Sequence, residues 1–201
     1  MRIAESIKKQ KGRIAMLLYH TGPVEIRQPD IRYGRKNADF GQGFYMTPNR
    51  DFAEKWVKSG SACMNTYELN TEGLQVRRFD RNEEWFRYLS ANRAGKPDSM
   101  PDADVIIGPI ANDTLFDTLG ILTSGYLSAE EAMPLLMIGP QYEQVVIKTD
   151  LAAEHLTWLA SRILTEEEIA RSRETTGREE EAYQREFGET MEKILGGEEH
   201  A

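Results

Sequence analysis

Cysteine occurs once in the 201 residues, at Cys63, and histidine three times, at His20, His155 and His200. A lone thiol closes no internal disulfide, and no His/Cys spacing describes a zinc site, so neither a disulfide scaffold nor a metal centre is expected. Long apolar runs are also missing: no stretch approaches the ~18 residues of a membrane span. The start carries Arg2, Lys8, Lys9, Lys11 and Arg13 but no apolar core and small-residue cleavage site behind them, which is not the pattern of a secretory signal. A cytoplasmic chain without membrane contact is the expectation. There is no Walker phosphate loop, no Gly-x-Ser-x-Gly elbow and no His-Glu-x-x-His helix, so those hydrolase and metalloprotease classes are set aside. The Gly-x-Gly of residues 41 to 43 lacks a third glycine at the dinucleotide-fold spacing and runs into aromatic residues instead of a helix, so a Rossmann fingerprint is unsupported.

Positive charge is scarce in one region only. The formal net charge is −8, but residues 165 to 201 hold twelve acidic and five basic side chains, leaving 21 acidic and 20 basic in the first 164. The acidity belongs to the tail, and no basic stripe points to nucleic-acid binding. Two units follow: a body over residues 1–164 and an acidic helical extension over 165–201. The extension's apolar residues Ile169, Tyr183, Phe187, Met191 and Leu195 fall mostly four apart, one narrow stripe on an acidic helix pair that lies on the body or meets a protein partner.

Within the body, residues 2 to 12 read as a short polar helix, and Ile14 to Tyr19 as a strand buried on both faces. Ile31 to Ala38 is a polar loop. Thr47-Pro48 supplies a helix N-cap followed by Pro at the first helical position, with the helix running to about Lys58. Residues 63–69 and 74–79 form a hairpin around Asn70-Thr-Glu-Gly73. Asp80 with Glu83 caps a helix that carries Trp85 and Leu89 to Asn92-Arg93. Val105 to Pro109 is a short buried strand, residues 113 to 137 are interrupted helix, and Gln144 to Thr149 is the last strong strand. Asp150 then caps a helix containing Leu151, Leu156, Trp158 and Leu159. Helices between strands, together with hairpin-like pairs, give an α+β architecture with a mixed or mainly antiparallel sheet.

The stretch the rest is organised around is Asp39-Phe-Gly-Gln-Gly-Phe-Tyr-Met-Thr47, read with Tyr19-His20-Thr21-Gly22. Two glycines one residue apart with an aromatic pair behind them describe a tight turn leading into an extended segment that presents flat rings. A hairpin that buries Phe44 or Tyr45 has the same pattern, and a site for a flat ligand gains when His20 and Glu143-Gln144 are added.

Those runs, with Ala103 to Asp113 and Tyr142 to Thr149, resemble a bacterial family carried as a domain of unknown function and grouped with the ADP-ribosyltransferases; the resemblance covers roughly residues 14 to 160. It implies a split β-sheet core that clamps NAD as substrate, with His, Tyr and Glu on three strands. His20, Gly22 and Tyr45 match that pattern, although Thr21-Gly22 inverts the usual Gly-Ser or Gly-Thr order. Under the resemblance His20 meets a ribose hydroxyl, Thr21 and Gly22 offer backbone groups to the nicotinamide amide, and Tyr45 stacks on the nicotinamide ring beside Gly43 and Phe44. Arg35, Asn37 and Asp39 lie in a loop that closes over the phosphates, or Arg35 and Asp39 simply form an ion pair. Where the pattern asks for Glu, this chain has Gln144, with Glu143 next to it. Successive strand side chains face opposite ways, so only one faces the cleft: Gln144 in a regular strand, Glu143 if a bulge shifts the register. An uncharged Gln stabilises an oxocarbenium-like transition state less than a carboxylate, so chain elongation is not expected. The implied activity is mono-ADP-ribosyl transfer to a protein or nucleic-acid acceptor. The alternatives are a non-catalytic nucleotide- or protein-binding module, or the toxin of a bacterial conflict system whose antitoxin docks on the tail.

Overall fold

The computed structural model describes residues 15–57, 62–111, 127–128, 133–135 and 137–196. The expected helix at 2–12, the end of the helix at Lys58 and most of the segment 113–137, with Asn112, Asp113 and His200, lie outside them. The apolar run after residue 14 forms strand β1 (Ala15–Gly22), which buries Leu18 but leaves Leu17 exposed, so it is not covered on both faces. It pairs antiparallel with β3 (Cys63–Asn70), and β3 pairs antiparallel with β7 (Leu156–Ile163), giving a three-stranded sheet.

A four-stranded sheet holds β2 (Phe44–Met46), β6 (Glu143–Ile147), β5 (Val105–Pro109) and β4 (Val76–Arg78) in the order β2-β6-β5-β4. Among the described residues only the β4–β5 pair is parallel. Among the described residues the two sheets meet at one bridge, where Tyr19 N donates to Thr47 O at 2.8 Å and Thr47 N to Tyr19 O at 2.9 Å. Away from that bridge they are separate, and their facing sides enclose one core. Leu18, Tyr67 and Leu69 come from the first sheet, and Phe44, Met46, Val105, Val145 and Ile147 from the second. Each such side chain contributes roughly 1.5–3 kcal/mol through burial. The opposite side of the four-stranded sheet packs Phe40, Phe79, Ile106 and Val146 against Trp85, Tyr88 and Leu89 of α2 (Glu83–Arg93).

Several local expectations are corrected. Residues 63–70 and 76–78 do not pair: Gly73 turns the chain at φ +81°, but Gln75 N then donates to Asp104 Oδ2 at 2.8 Å, so β4 joins the other sheet. Thr47 is held in the bridge, and Asn49 instead caps α1 (Arg50–Glu54) by accepting from Phe52 N. Asn82, not Asp80, caps α2. Thr149, not Asp150, caps α3 (Asp150–Glu154), which ends before Leu156. Leu156, Trp158 and Leu159, expected on that helix, lie instead on the edge strand β7; branched and aromatic residues there suit a pleated, half-covered surface. The acidic tail is one helix, α4 (Glu166–Gly196), and not a pair. Its stripe lays Tyr183, Phe187, Met191 and Ile194 on Leu127, Leu135 and Ile138, while Leu195 stays exposed. The α+β class with a mixed sheet arrangement stands, as two open sheets with helices around them.

Candidate functional site

His20 lies two residues beyond buried Leu18 on β1, on the side that faces the second sheet. Its Nδ1 is 2.7 Å from the Tyr45 carbonyl oxygen. A carbonyl only accepts, so Nδ1 carries the proton and Nε2 is left as the acceptor. Burial lowers the imidazole pKa, against a smaller upward effect of the Tyr45 hydrogen bond, and the ring is therefore neutral at pH 7. It rests on Phe44, with ring centroids 4.5 Å apart, and is edged by Trp56 at 5.7 Å. A methyl group at Gly22 would come within 3.2 Å of Nε2. Glycine at that position keeps a Cβ from crowding the acceptor nitrogen. Thr21, on the opposite side of β1, is buried and turned away from this nitrogen, with its hydroxyl unpaired.

The loop ahead of β2 is built to be rigid. Asp30 caps a single 3₁₀ turn at Ile31–Tyr33. Gln42 Nε2 donates to Arg32 O at 2.7 Å and Gly34 O at 3.1 Å. Gly34 and Gly43 then cross backbone to backbone: a Cβ on Gly34 would lie 2.1 Å from Gly43 O, and one on Gly43 would lie 2.6 Å from both Ile147 O and Val146 Cγ1. The Tyr45 hydroxyl closes the loop, accepting from Phe40 N at 2.9 Å and donating to Gly41 O at 2.7 Å. Burial raises its pKa, so the phenol stays protonated.

Asp39 is the loop's anchor. One carboxylate oxygen takes the Arg93 Nε and Nη2 hydrogen bonds at 2.8 and 2.6 Å, and the other accepts from Ala111 N and Gln144 Nε2, both at 3.3 Å. Gln144 is buried and also donates to Pro109 O at 3.3 Å. The alternative of an Arg35–Asp39 ion pair is thus replaced by Arg93–Asp39, while Arg35 and Asn37 are exposed.

Strand pairing decides which side chains meet. Phe44 lies opposite Ile147, and Tyr45 opposite Val146. Phe44, Met46, Val145 and Ile147 all point into the core between the sheets, whereas Tyr45 and Val146 belong to the far side with Phe40 and Trp85. By the two-residue period of a strand, Gln144 shares the far side with Tyr45, and Glu143 shares the His20 and Phe44 side. No bulge interrupts the β2–β6 register. Gln144 therefore does not share the face of His20 and Phe44: with Val146 paired to Tyr45, the even-numbered residues of β6 face away from the core between the sheets. His20 and Phe44 are brought together; Tyr45 and Gln144 are brought together behind them around Asp39. Glu143 is half-exposed, with its carboxylate 2.7 Å from Arg78 Nη1. It lies four residues along β6 from the partner of Phe44, roughly 14 Å by strand rise.

Two contributors went unnoticed in the sequence. Trp56, just past the end of α1, flanks His20. Asn65, opposite His20 in the β1–β3 register, accepts from Ile26 N at 2.8 Å and donates to Val24 O at 3.1 Å, and Tyr67 donates to Ile26 O at 2.6 Å. Together they hold the chain just past Gly22 against the sheet. An asparagine inside the apolar strand Cys63-Met-Asn65 was the available signal, since a buried amide needs partners.

Among the described residues no group of three His, Cys, Asp or Glu side chains is placed to hold a metal ion, and no helix is long and apolar enough to cross a membrane. The geometry defines a mixed α+β protein whose two open sheets part beside a neutral histidine on an aromatic shelf. A family model described as a protein of unknown function, DUF3990, matches residues 16–158. The chain belongs to that family. No curated protein and no solved structure matches it.

Proposed function

We infer that the chain is an ADP-ribosyltransferase-like protein that binds NAD where the two sheets part and transfers a single ADP-ribosyl group to a macromolecular acceptor. One observation carries the reading. The His20 imidazole is fixed by the Tyr45 carbonyl so that neutral Nε2, left clear of a Cβ by Gly22, is an acceptor for a sugar hydroxyl beside the Phe44 ring. A held dinucleotide with an acceptor beside its ribose is what cleavage of a nicotinamide bond calls for. In that step the C1′–N bond breaks and its electron pair neutralises the nicotinamide ring nitrogen. The acceptor's lone pair closes on C1′, and its proton leaves to a base.

Glu143 is the carboxylate on the proper side of β6 for that work, and exposed Arg35 with Asn37 serves the phosphates. Tyr45 and Gln144 act behind the site, as supports. Calorimetric titration with NAD should show saturable binding that His20→Ala abolishes, with the variant's melting temperature as the fold control. Labelled NAD should release nicotinamide in the wild type and lose that turnover, but not binding, in Glu143→Gln. A flat titration of the folded wild type refutes the reading.

A second reading, nucleotide binding without turnover, is favoured by the Arg78 guanidinium 2.7 Å from the Glu143 carboxylate, which engages the one acid on this side of β6. Binding without nicotinamide release from wild type would establish it over the first. The toxin reading predicts growth arrest on expression, relieved by His20→Ala.

A further inference from the structure

Strand β4 is an edge of the four-stranded sheet, and its order of hydrogen bonds shows which groups it leaves open. Val105 N donates to Gln75 O at 3.2 Å, and Phe79 N donates to Ile107 O at 2.8 Å. In a parallel ladder the residues that bond inward alternate with those that do not. Val76 and Arg78 therefore turn their N–H and C=O groups away from β5, and all three residues of β4 are exposed. Alongside the strand runs a groove of 480 Å³ whose lining includes Arg77, Arg78, Phe79, Glu84, Met100 and Asp102. With the Arg78 guanidinium engaged by Glu143, the groove sets the Glu84 and Asp102 carboxylates against the Arg77 guanidinium, with an aliphatic wall from Met100.

We propose that β4 accepts an extended peptide as a fifth strand of this sheet, with a Lys or Arg side chain of that peptide lying in the groove lined by Glu84, Asp102 and Met100. Backbone pairing to Val76 and Arg78 supplies attachment, and the groove supplies selectivity, the division of labour in strand addition. A three-residue edge bearing two arginines resists indiscriminate pairing, so the side-chain pocket decides which peptide is admitted. The basic side chain places its stem on Met100 and its charge beside the carboxylates.

The test uses the full chain and a fluorescein-labelled hexapeptide, Val-Thr-Lys-Thr-Val-Thr, read by anisotropy without NAD. Saturable binding is expected. It should weaken at least about tenfold when alternate peptide nitrogens are methylated, when the peptide Lys is replaced by Glu, and in Val76→Pro. That substitution removes an outward N–H, a position where an edge strand tolerates proline; its melting temperature reports the fold, and Glu84→Lys is the second variant should it not fold. His20→Ala should leave peptide binding unchanged, which separates failure here from failure of the NAD reading. Equal affinity for the methylated peptide, or no saturation up to about 1 mM, overturns the proposal. So does a concentration-dependent dimer in light scattering that Val76→Pro abolishes, because a second copy would then occupy the edge.

Discussion

Replacing Tyr45 by Phe removes one oxygen atom and separates a supporting role from a ligand-stacking one. The ring and its packing against Phe40 and Trp85 are kept; what is lost is the acceptor for Phe40 N at 2.9 Å and the donor to Gly41 O at 2.7 Å. Phe40 and Gly41 are buried, so neither backbone group regains water without opening the loop. Two net hydrogen bonds at about 0.5–1.5 kcal/mol each, with a penalty for the stranded groups, put the cost at about 2 kcal/mol. For a chain of this size each kcal/mol moves Tm by about 2–4 °C, giving a fall of about 4–8 °C. Thermal unfolding followed by circular dichroism measures it, with urea unfolding as a check on the midpoint. NAD affinity of the folded variant should stay within about twofold of wild type. In contrast, Phe44→Leu should weaken NAD binding while leaving that loop closed. A Tyr45→Phe variant with unchanged Tm and clearly weakened NAD binding would refute the placement of this phenol behind the site.

Gly43→Ala should cost about 3 kcal/mol or more, because the new methyl group meets Ile147 O and Val146 Cγ1 at 2.6 Å; denaturant midpoints read this, and a neutral effect would deny the close crossing. Gly177→Ala and Gly188→Ala meet nothing within 4 Å on α4, so each should stabilise by about 0.5–1 kcal/mol, and a loss of stability from either would show an unseen contact there. His20 has a lowered pKa in the fold, so the unfolded chain binds the extra proton first: its contribution is fully present above the unfolded value near 6.5 and is lost as pH falls from there through the folded value. Tm measured from pH 7.5 to 5.5 should therefore fall further in wild type than in His20→Gln, and parallel falls would contradict it.

What was legible in the sequence followed periodicity and chemistry of single residues. The strands at Val105 to Pro109 and around residues 144–147, and the apolar stripe of α4, carry their patterns openly. Pairing partners were not legible, because Gly73 announces a turn without saying that Asp104 will take the next backbone N–H. Leu156, Trp158 and Leu159 read as helix because Leu156 and Leu159 keep helical spacing, whereas the long-range pairing with β3 decides the outcome. At the site His20 and the glycine–aromatic stretch stood out, but the direction of each ring did not. Burial of the Asp39 network was invisible as well, since Arg93 lies 54 positions from its partner.

That network also explains why position 144 carries an amide and not a carboxylate. A charged residue at position 144 would face Asp39, whose two oxygens already serve Arg93, Ala111 and Gln144. A carboxylate there would put two like charges at hydrogen-bonding distance in a buried setting, at a cost far above that of an amide. Gln144 Nε2 instead supplies a hydrogen that Asp39 can accept, and the same amide reaches Pro109 O. The uncharged residue is thus the one the interior requires, and it says nothing against a carboxylate acting on the other side of the strand. Gln144→Glu should accordingly lower stability and create no turnover, whereas Glu143→Gln should spare the fold and remove turnover. If Gln144→Glu folded normally and released nicotinamide faster than wild type, the side of β6 that faces the ligand would be the opposite one.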